Sequence, residues 1–389
     1  MSIFVKPRDK IEFEDVKAFC DEQIEENRRV EYKKAFSSKD EKKQIAKEIS
    51  SFANTDGGII LVGVGEEDRK PKLPIEGIDY TEGLNEKVTS IALKNIYPPV
   101  FPEIKVCKFG DTFEKAVVVI RVQESDETPH TVEKTTGIYV RVDSQNEPQR
   151  ARYEEIEWLI NRRKKAVENR ERLLRRAEER FNNKPTRKNF EAFQCVSAIP
   201  IFPHAPLVAL EDLSDIADKS KVSYSNCNFM LTGPYKTAHE CIICDSVYES
   251  VLNHNEINLF GLIFSKQSLW KNRNEKNVYL SEVSKLVECV LRFSLNFYKG
   301  VGYWGLILIS LSLEGIKGSI LTSSTRSLER PLGSSDFDDT ITLERKVNVC
   351  ELSERFDEIL EDLYNEFLWS FGVDDDYHRK ELIDNISKK

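Results

Sequence analysis

The stretch that decides the fold reads Ile49-Ser-Ser-Phe-Ala-Asn-Thr-Asp-Gly-Gly58, followed at once by Ile59-Ile-Leu-Val-Gly-Val64. Its first half closes a helix that begins at Asp40, with apolar residues on one side and lysines on the other. The glycine pair ends the helix because glycine readily adopts the left-handed conformation found at helix ends. The unbroken apolar run that follows is typical of a buried strand. A helix leading directly into such a strand predicts an α/β domain.

The flanking sequence supplies further helices and strands in mixed order. They are a helix over Phe13 to Ile24, a strand over Val30 to Phe36, a helix through Leu84, Val88 and Ile91 that Pro98-Pro99 ends, and strands over Ala116 to Val122 and Ile138 to Val142. Residues 1–152 are therefore predicted to form an α/β domain of the α+β type, with a mixed sheet.

A long basic helix is predicted next, over residues 153–184. Between Arg162 and Arg180 it holds nine basic and four acidic residues, a local charge of +5 on a chain whose net charge is −9. Such a helix would bind nucleic acid by releasing counterions, and we expect the contacts at Arg162, Arg163, Lys164 and Lys165. Two alternatives remain open: a solvent-exposed connector with intrahelical pairs such as Glu168–Arg172, or self-association into a homo-oligomer, through the incomplete apolar stripe of this helix or through the C-terminal domain.

Residues 185–389 are predicted to form a second mixed α/β domain of unknown type, beginning after the helix breaker Lys184-Pro185-Thr186. The expected elements are strands over Leu259 to Phe264 and Leu306 to Leu313, a helix over Ser281 to Tyr298, and a last helix that ends at Gly372.

The bulk composition indicates a cytoplasmic protein that does not enter a membrane. No apolar run is long enough to span a bilayer, the first residues lack the apolar core of a secretory signal, and the eight cysteines are scattered. A zinc site is conceivable from His239, Cys241, Cys244, Cys227 and His254, but the spacing fits no common zinc motif. Buried cysteines are the favoured interpretation.

Several linked motifs resemble one known family. These are Glu26-Asn-Arg-Arg-Val-Glu31-Tyr-Lys33, the stretch from Ile49 to Val64, and a later set with Pro129-His130, Tyr139-Val-Arg141-Val-Asp-Ser144 and Glu154-Glu155-Ile156. Together they resemble the Schlafen AlbA-like (AlbA-2) domain over roughly residues 12–160. The resemblance implies an α/β fold with a surface that faces RNA or DNA.

The resemblance also implies a divalent-metal site. In nuclease members of that family, three acidic residues hold the ion, and the matching positions here are Glu26, Glu31 and Glu66. Glu67 and Asp68 compete with Glu66 for the third position. Carboxylate oxygens suit Mg²⁺ or Mn²⁺, and such an ion can activate water for cleavage of a phosphodiester.

Three cationic residues complete the predicted site. Lys33 would contact phosphate and stabilise the transition state, and Lys34 and Arg141 would contact nucleic acid. The alternative is structural: Glu26 and Glu31 would form salt bridges with Lys33 or Arg28.

The sequence therefore predicts a nucleic-acid-binding Schlafen-like protein, with a metal-dependent endonuclease (RNase or DNase) of prokaryotic antiviral defence or stress response as the enzymatic hypothesis. A non-catalytic DNA- or RNA-binding transcriptional regulator is the first alternative. The second is an interaction or assembly protein driven by its C-terminal domain.

Overall fold

The computed structural model describes residues 3–4, 6, 8–110, 113–125, 127–132, 137–142, 145–203, 205–222, 235–248, 251–269, 276–323, 330–374 and 379–380. The chain forms two compact units, residues 1–165 and residues 166–389, which we call unit 1 and unit 2.

In the part of the chain that the structure describes, unit 1 contains a main sheet, a second sheet, a two-stranded sheet and three α-helices before residue 153. The helices are α1 (Phe13–Asp21), α2 (Lys39–Asn54) and α3 (Leu84–Asn95), and the strands are β1 (Val30–Lys33), β2 (Gly58–Val62), β3 (Glu66–Glu67), β4 (Lys70–Pro71), β5 (Ile78–Asp79), β6 (Ile96–Tyr97), β7 (Glu103–Phe109), β8 (Lys115–Val122), β9 (Thr131–Val132), β10 (Gly137–Val142) and β11 (Gln145–Arg150). The main sheet has the order β1-β2-β8-β5, with β7 also on β8, and only β1 and β2 pair in parallel. The second sheet has the order β11-β10-β9-β6.

The main sheet of unit 1 is covered on both faces, as the apolar run of β2 predicts. Ile60 and Val62 of β2 pack with α2 and α3, whereas Ile59 and Leu61 pack with α1 on the opposite face. Helix α2 begins with a capping box, in which Ser38 accepts from the Glu41 amide and Glu41 accepts from the Ser38 amide. Full burial of β2 explains why no polar residue interrupts it.

The helix α4 (Tyr153–Asn182) is one continuous element of 30 residues, in agreement with the predicted long helix. The division between the two compact units falls inside it, after Lys165.

Unit 2 is built on antiparallel strands. Its helices are α5 (Leu213–Ser220), α6 (Leu280–Gly300), α7 (Val349–Glu354) and α8 (Phe356–Ser370), and its strands are β12 (Phe193–Pro200), β13 (Lys236–Ala238), β14 (Cys241–Tyr248), β15 (Val251–Asn258), β16 (Ile263–Ser268), β17 (Asn277–Tyr279), β18 (Leu306–Glu314), β19 (Ser319–Ser323), β20 (Arg330–Ser335) and β21 (Thr340–Asn348). Seven strands form one sheet in the order β13-β14-β15-β16-β12-β18-β21, and β17-β19-β20 form a second. Helix α6 packs on one face of the large sheet, and residues 166–182 of α4 pack on the other. Unit 2 is thus an antiparallel sheet covered by helices, which refines the prediction of a mixed domain.

Two predicted elements are placed differently. The expected strand from Leu259 to Phe264 is instead a turn up to Leu262, because the Asn258 side chain accepts from the Phe260 and Leu262 amides and Gly261 has a φ of 86°. The first helix ends at Asp21, so Ile24 lies outside it, although its side chain still packs on the core of unit 1.

Candidate functional site

Strand β1 and the turn before it carry the two glutamates of the predicted site. Glu26 is only 4% exposed, and its Oε1 accepts a hydrogen bond of 2.9 Å from the backbone amide of Tyr32. The backbone amide of Glu26 donates to the Arg69 carbonyl at 2.7 Å. Glu31 is also buried and lies opposite Ile60 of β2. Glu26 and Glu31 therefore lie in one region of unit 1.

The partners of Glu31 form a buried ionic cluster of four residues: Glu31, Lys33, Glu48 and Arg141. The Nη2 of Arg141 donates to Oε2 of Glu31 at 2.7 Å and also to Oε2 of Glu48. Lys33 donates to Oε1 of Glu31 and lies 3.8 Å from Oε1 of Glu48. The side chains of Arg141 and Glu48 are 0% and 1% exposed. Each carboxylate is therefore compensated by two cations.

Aromatic and amide groups hold the buried ionic cluster in place. The guanidinium carbon of Arg141 lies 4.4 Å from the centre of the Phe52 ring, a cation–π distance. Gln44, one turn before Glu48 on α2, donates to Oε1 of Glu48 at 2.7 Å. The backbone amide of Arg141 donates to the Thr55 hydroxyl, so the end of α2 is fastened to β10. Fixed neighbours of this kind restrict the rotamers of the charged groups.

Burial changes the protonation of the acidic residues. Burial, aided by the nearby Glu31 carboxylate, raises the pKa of Glu26 to about 7. Burial likewise raises the pKa of Glu48 to about 7, although Arg141 acts in the opposite direction. For Lys33, burial favours a lower pKa, but the Glu31 and Glu48 carboxylates outweigh it and raise the pKa above its usual value. These carboxyls are therefore able to exchange protons near neutral pH.

The third predicted carboxylate has a different environment. Glu66 and Glu67 form the short strand β3 and are exposed, and the hairpin to β4 turns at Asp68 and Arg69, which have φ values of 52° and 66°. This geometry is that of a tight hairpin turn, and the Arg69 side chain donates from it to the Glu26 carbonyl at 3.1 Å. The Glu66 charge contributes to the raised pKa of Glu26 less than any other group named above. Glu48 of α2 is the carboxylate that lies beside Glu31.

The donor set does not fit a three-carboxylate ion. Both carboxylate oxygens of Glu31 already accept from cations, one from Lys33 and one from Arg141. Hard divalent cations use such oxygens as ligands, and the positive charges of Lys33 and Arg141 at both Glu31 oxygens oppose the approach of a further cation. In the described part of the chain, no three His, Cys, Asp or Glu side chains lie together in a way that could hold a metal ion. As arranged, the cluster is an internal salt-bridge network.

Glu48 is the residue that sequence reasoning missed, although the sequence holds a signal for it. It lies on α2 between Ile45 and Phe52 and next to Ile49, within the apolar stripe that packs on the sheet. An acidic residue on a buried helix face needs a cationic partner, because an unpaired buried charge is strongly unfavourable. That partner, Arg141, is 93 residues away in the chain, and the periodicity of α2 carries no information about it.

Asn54 and His130 form a second buried polar group beside the cluster. The Asn54 amide donates to the carbonyls of His130 and Tyr139 and accepts from the His130 amide. Both ring nitrogens of His130 have partners, the Pro98 carbonyl at 2.8 Å and the Ser125 hydroxyl at 2.7 Å. Burial lowers the pKa of His130 to about 4, so the ring is neutral at neutral pH. These contacts join α2 to the second sheet.

A cleft of about 350 Å³ lies next to the cluster. Lys33, Lys34 and Lys72 line it together with the acidic Glu66 and Glu76. Lys34 is exposed and its Nζ lies 3.5 Å from Glu76, whereas Lys72 is exposed without an ion pair in the described residues. Two of the predicted nucleic-acid contacts, Lys33 and Lys34, thus lie in one concave surface, while the third, Arg141, is fully enclosed.

The basic residues of α4 divide into structural and exposed groups. Arg162 is buried: it donates to Glu124 at 2.6 Å and to the Ser125 carbonyl, and its guanidinium carbon lies 4.9 Å from the Trp158 ring. Lys164 and Lys165 are exposed and Arg163 is half-buried. Arg162, which the sequence predicted to contact nucleic acid, instead binds acceptors of unit 1 itself.

The remaining arginines of α4 are held mainly by acceptors of unit 2. Arg172 and Arg176 both contact Glu240, Arg180 donates to Glu256 at 2.6 Å, and Arg170 donates to the Ile201 carbonyl. Residues 166–182 hold five arginines and four glutamates, so the charge of +5 that the sequence assigned to this helix lies almost entirely on Arg162, Arg163, Lys164 and Lys165.

The two cysteines of the predicted CxxC segment are buried, as expected. Cys241 and Cys244 lie inside on β14, and His254 pairs through Nδ1 with Asp245 at 2.7 Å. Cys227 lies outside the described residues. The free cysteines among the described residues are Cys20, Cys107, Cys195, Cys241, Cys244 and Cys350.

Residues 26–150 match the family described as Schlafen, AlbA_2. Unit 1 therefore contains a Schlafen AlbA_2 domain, and the resemblance inferred from its motifs is confirmed for this N-terminal region. No curated protein matches the chain. Among the described residues, every helix is too short or too polar to cross a membrane.

Two solved structures are similar to part of the chain. The DIP2311 protein from Corynebacterium diphtheriae matches over 35% of this chain and 25% of its own length, with 14% identity and a TM-score of 0.25. The N-terminal domain of a RecG-related protein from Nitrosomonas europaea matches over 36% of this chain and 94% of its own length, with 19% identity and a TM-score of 0.26.

Proposed function

We propose that unit 1 binds nucleic acid through the cleft beside the buried ionic cluster. The observation that carries this proposal is the convergence of Lys33, Lys34 and Lys72 on one concave surface of a Schlafen AlbA_2 domain. Lysine ammonium groups are suitable partners for phosphates, and their contacts position a nucleic acid without reading its sequence.

Salt bridges inside the buried ionic cluster neutralise its carboxylates, so the neighbouring cleft repels an anion less. Two carboxylates, Glu31 and Glu48, face two cations, Lys33 and Arg141, so the four charges balance when all are ionised. Unpaired carboxylates at the same place would repel phosphate. The exposed Lys34–Glu76 contact is weak, since exposed ion pairs are screened and contribute little. Phosphate is therefore able to compete for Lys34.

Metal-dependent cleavage stays a prediction from the family resemblance. The raised pKa of Glu26 favours it as a second candidate, because a group that titrates near pH 7 is suited to proton transfer. The enclosed Arg141 favours binding without cleavage, since the guanidinium holds the two carboxylates that an ion would need. A role in prokaryotic defence or stress rests on the resemblance alone.

Binding and cleavage are separated by one set of measurements on the full chain. Fluorescence anisotropy with labelled single-stranded RNA, single-stranded DNA and duplex DNA tests binding, in Mn²⁺ and in EDTA. We expect binding in both media, and a several-fold loss of affinity when Lys34→Gln and Lys72→Gln are combined. Lys10→Gln with Lys17→Gln is the control, because both lysines are exposed elsewhere on unit 1.

The binding measurement and the cleavage measurement each have a decisive outcome. If the wild-type protein binds none of the three nucleic acids, the proposed function is wrong. Cleavage products that form in Mn²⁺ and not in EDTA would establish the endonuclease.

A further inference from the structure

A second lysine-rich surface lies on unit 1, between the first turns of α2 and the length of α3. It is a groove of about 710 Å³, lined by Lys39, Lys42, Lys43, Lys87 and Lys94. We call it the α2–α3 groove. The motifs that indicated the family did not point to it, and the cleft beside the cluster shares none of its residues.

The lysines at the start of α2 lie where helix electrostatics disfavour them. The N-terminus of a helix carries partial positive charge, so anions stabilise it and cations do not. Asp40 and Glu86 of the same groove, in the first turns of α2 and α3, follow this rule. Lys39 and Lys42 oppose it. Their position is unfavourable for the helix itself, which is consistent with a role for the positive charge outside the fold.

The charges of the groove are available to a ligand. Lys39, Lys42 and Lys94 are exposed and, within the described residues, none of them forms a hydrogen bond or an ion pair. Lys87 is exposed and donates only to the neutral Thr81 hydroxyl, at 3.0 Å. With three acidic residues against five lysines, the lining is net positive on a chain whose net charge is −9. The excess is local, which is how a basic binding surface is recognised on an acidic protein.

We propose that the α2–α3 groove binds the phosphodiester backbone of a nucleic acid that also occupies the cleft, an inference that rests on the proposed function. Lys34 of the cleft and Lys39 of the groove are five residues apart, so their Cα atoms lie within about 18 Å of each other. A backbone strand with one charge per 3.4 Å places about five phosphates over that span. The ligand class is therefore a polynucleotide several residues long, contacted without sequence specificity, and not a mononucleotide.

The test measures how nucleic-acid affinity depends on salt. Full-length wild type is compared with the variant Lys39→Gln, Lys42→Gln, Lys87→Gln and Lys94→Gln, using labelled strands of about 20 nucleotides between about 50 and 200 mM salt. A matched control carries Lys10→Gln, Lys17→Gln, Lys285→Gln and Lys299→Gln, four exposed lysines outside both surfaces. Circular dichroism verifies that each variant is folded.

We expect the groove variant to lose at least about tenfold in affinity, and its plot of log affinity against log salt to become flatter by about three units, because each of the four phosphate contacts contributes roughly 0.7 to 0.9 to that slope. A Lys→Arg version at the same four positions keeps the charge and should keep the slope.

Each outcome has one interpretation. If wild type binds and the groove variant behaves like the control, the inference about the groove is overturned while the proposed function stands. If wild type does not bind, the proposed function fails and the groove proposal fails with it. A mononucleotide that competes as well as the long strand, phosphate for phosphate, would also overturn the inference. If the fourfold variant is misfolded, Lys42→Gln with Lys94→Gln is measured in its place.

Discussion

Helix α2 carries charged residues into two opposite environments. Near its C-terminal end, Glu48 is buried and bound by Arg141, whereas at its N-terminal end Lys39 and Lys42 are exposed and without ion pairs among the described residues. The buried ionic cluster uses charge to join strands and helix, and the α2–α3 groove leaves charge available to solvent and ligands. Charged residues of the same helix are therefore assigned to structure or to binding by their partners.

Removing Arg141 should produce the largest effect. In Arg141→Met, Glu31 and Glu48 lose their shared guanidinium while they stay buried, and breaking such a pair costs about 3–5 kcal/mol. Urea denaturation at neutral pH measures the change in the free energy of unfolding. Adding Glu48→Gln should recover part of the loss, since one uncompensated charge is removed. A loss below about 1 kcal/mol would show that the cluster behaves like an exposed pair.

The cluster should also make stability fall as pH rises. Burial raises the folded-state pKa of Glu48 from 4.5 to about 7, so between these values the folded protein holds a proton that the unfolded chain has released. Its contribution is therefore fully present below about pH 4.5 and is lost as pH rises through about 7. Wild type should lose roughly 1–3 kcal/mol more than Glu48→Gln between about pH 5 and pH 7.5. Equal pH slopes in urea denaturation would contradict the raised pKa.

Local sequence signals predicted helix α2 and strand β2 of unit 1. The capping residues and apolar spacing of α2, the glycine pair after it and the apolar run of β2 are all local, and each has its expected place. Strand β7 was missed: only Cys107 of its residues is buried, so its alternation of apolar and polar side chains is weak evidence of a strand. The turn at Leu259–Leu262 was mistaken for a strand because its apolar residues conceal a side-chain cap from Asn258.

The site was harder to predict than the fold, because its contacts are long-range. Glu26 and Glu31 are close in sequence and were identified, but the choice of Glu66 over Glu48 depends on which element packs beside β1. In the same way, a count of charges along α4 treats Arg162 and Lys164 equally. Only the packing of α4 on Glu124 and Ser125 makes Arg162 structural. Charge patterns predict that cations are present, but not which of them have partners.

Removing a cation from the groove should stabilise the fold, whereas removing Arg141 from the cluster should destabilise it. Lys39→Gln removes a cation from the positive end of α2, so the free energy of unfolding should rise by about 0.3–1 kcal/mol at low salt. The same change should weaken nucleic-acid binding. Thermal or urea unfolding, measured beside anisotropy, tests both, with Lys17→Gln in α1 as the control. If Lys39→Gln instead lowers the free energy of unfolding, Lys39 stabilises the helix, and the argument that its charge serves binding is contradicted.

The smallest effect should come from the exposed pair at the cleft, Lys34 and Glu76. Their side chains are 77% and 55% exposed and the charged atoms are 3.5 Å apart. A double-mutant cycle with Lys34→Gln and Glu76→Gln should therefore give a coupling energy of at most about 0.5 kcal/mol, falling further at high salt. Glu76→Gln alone should strengthen nucleic-acid binding slightly, because Lys34 then has phosphate as its only anionic partner. If instead the coupling is as large as that of Glu48 with Arg141, the cleft belongs with the cluster as part of the structural network, and the proposal that it receives phosphate loses its support.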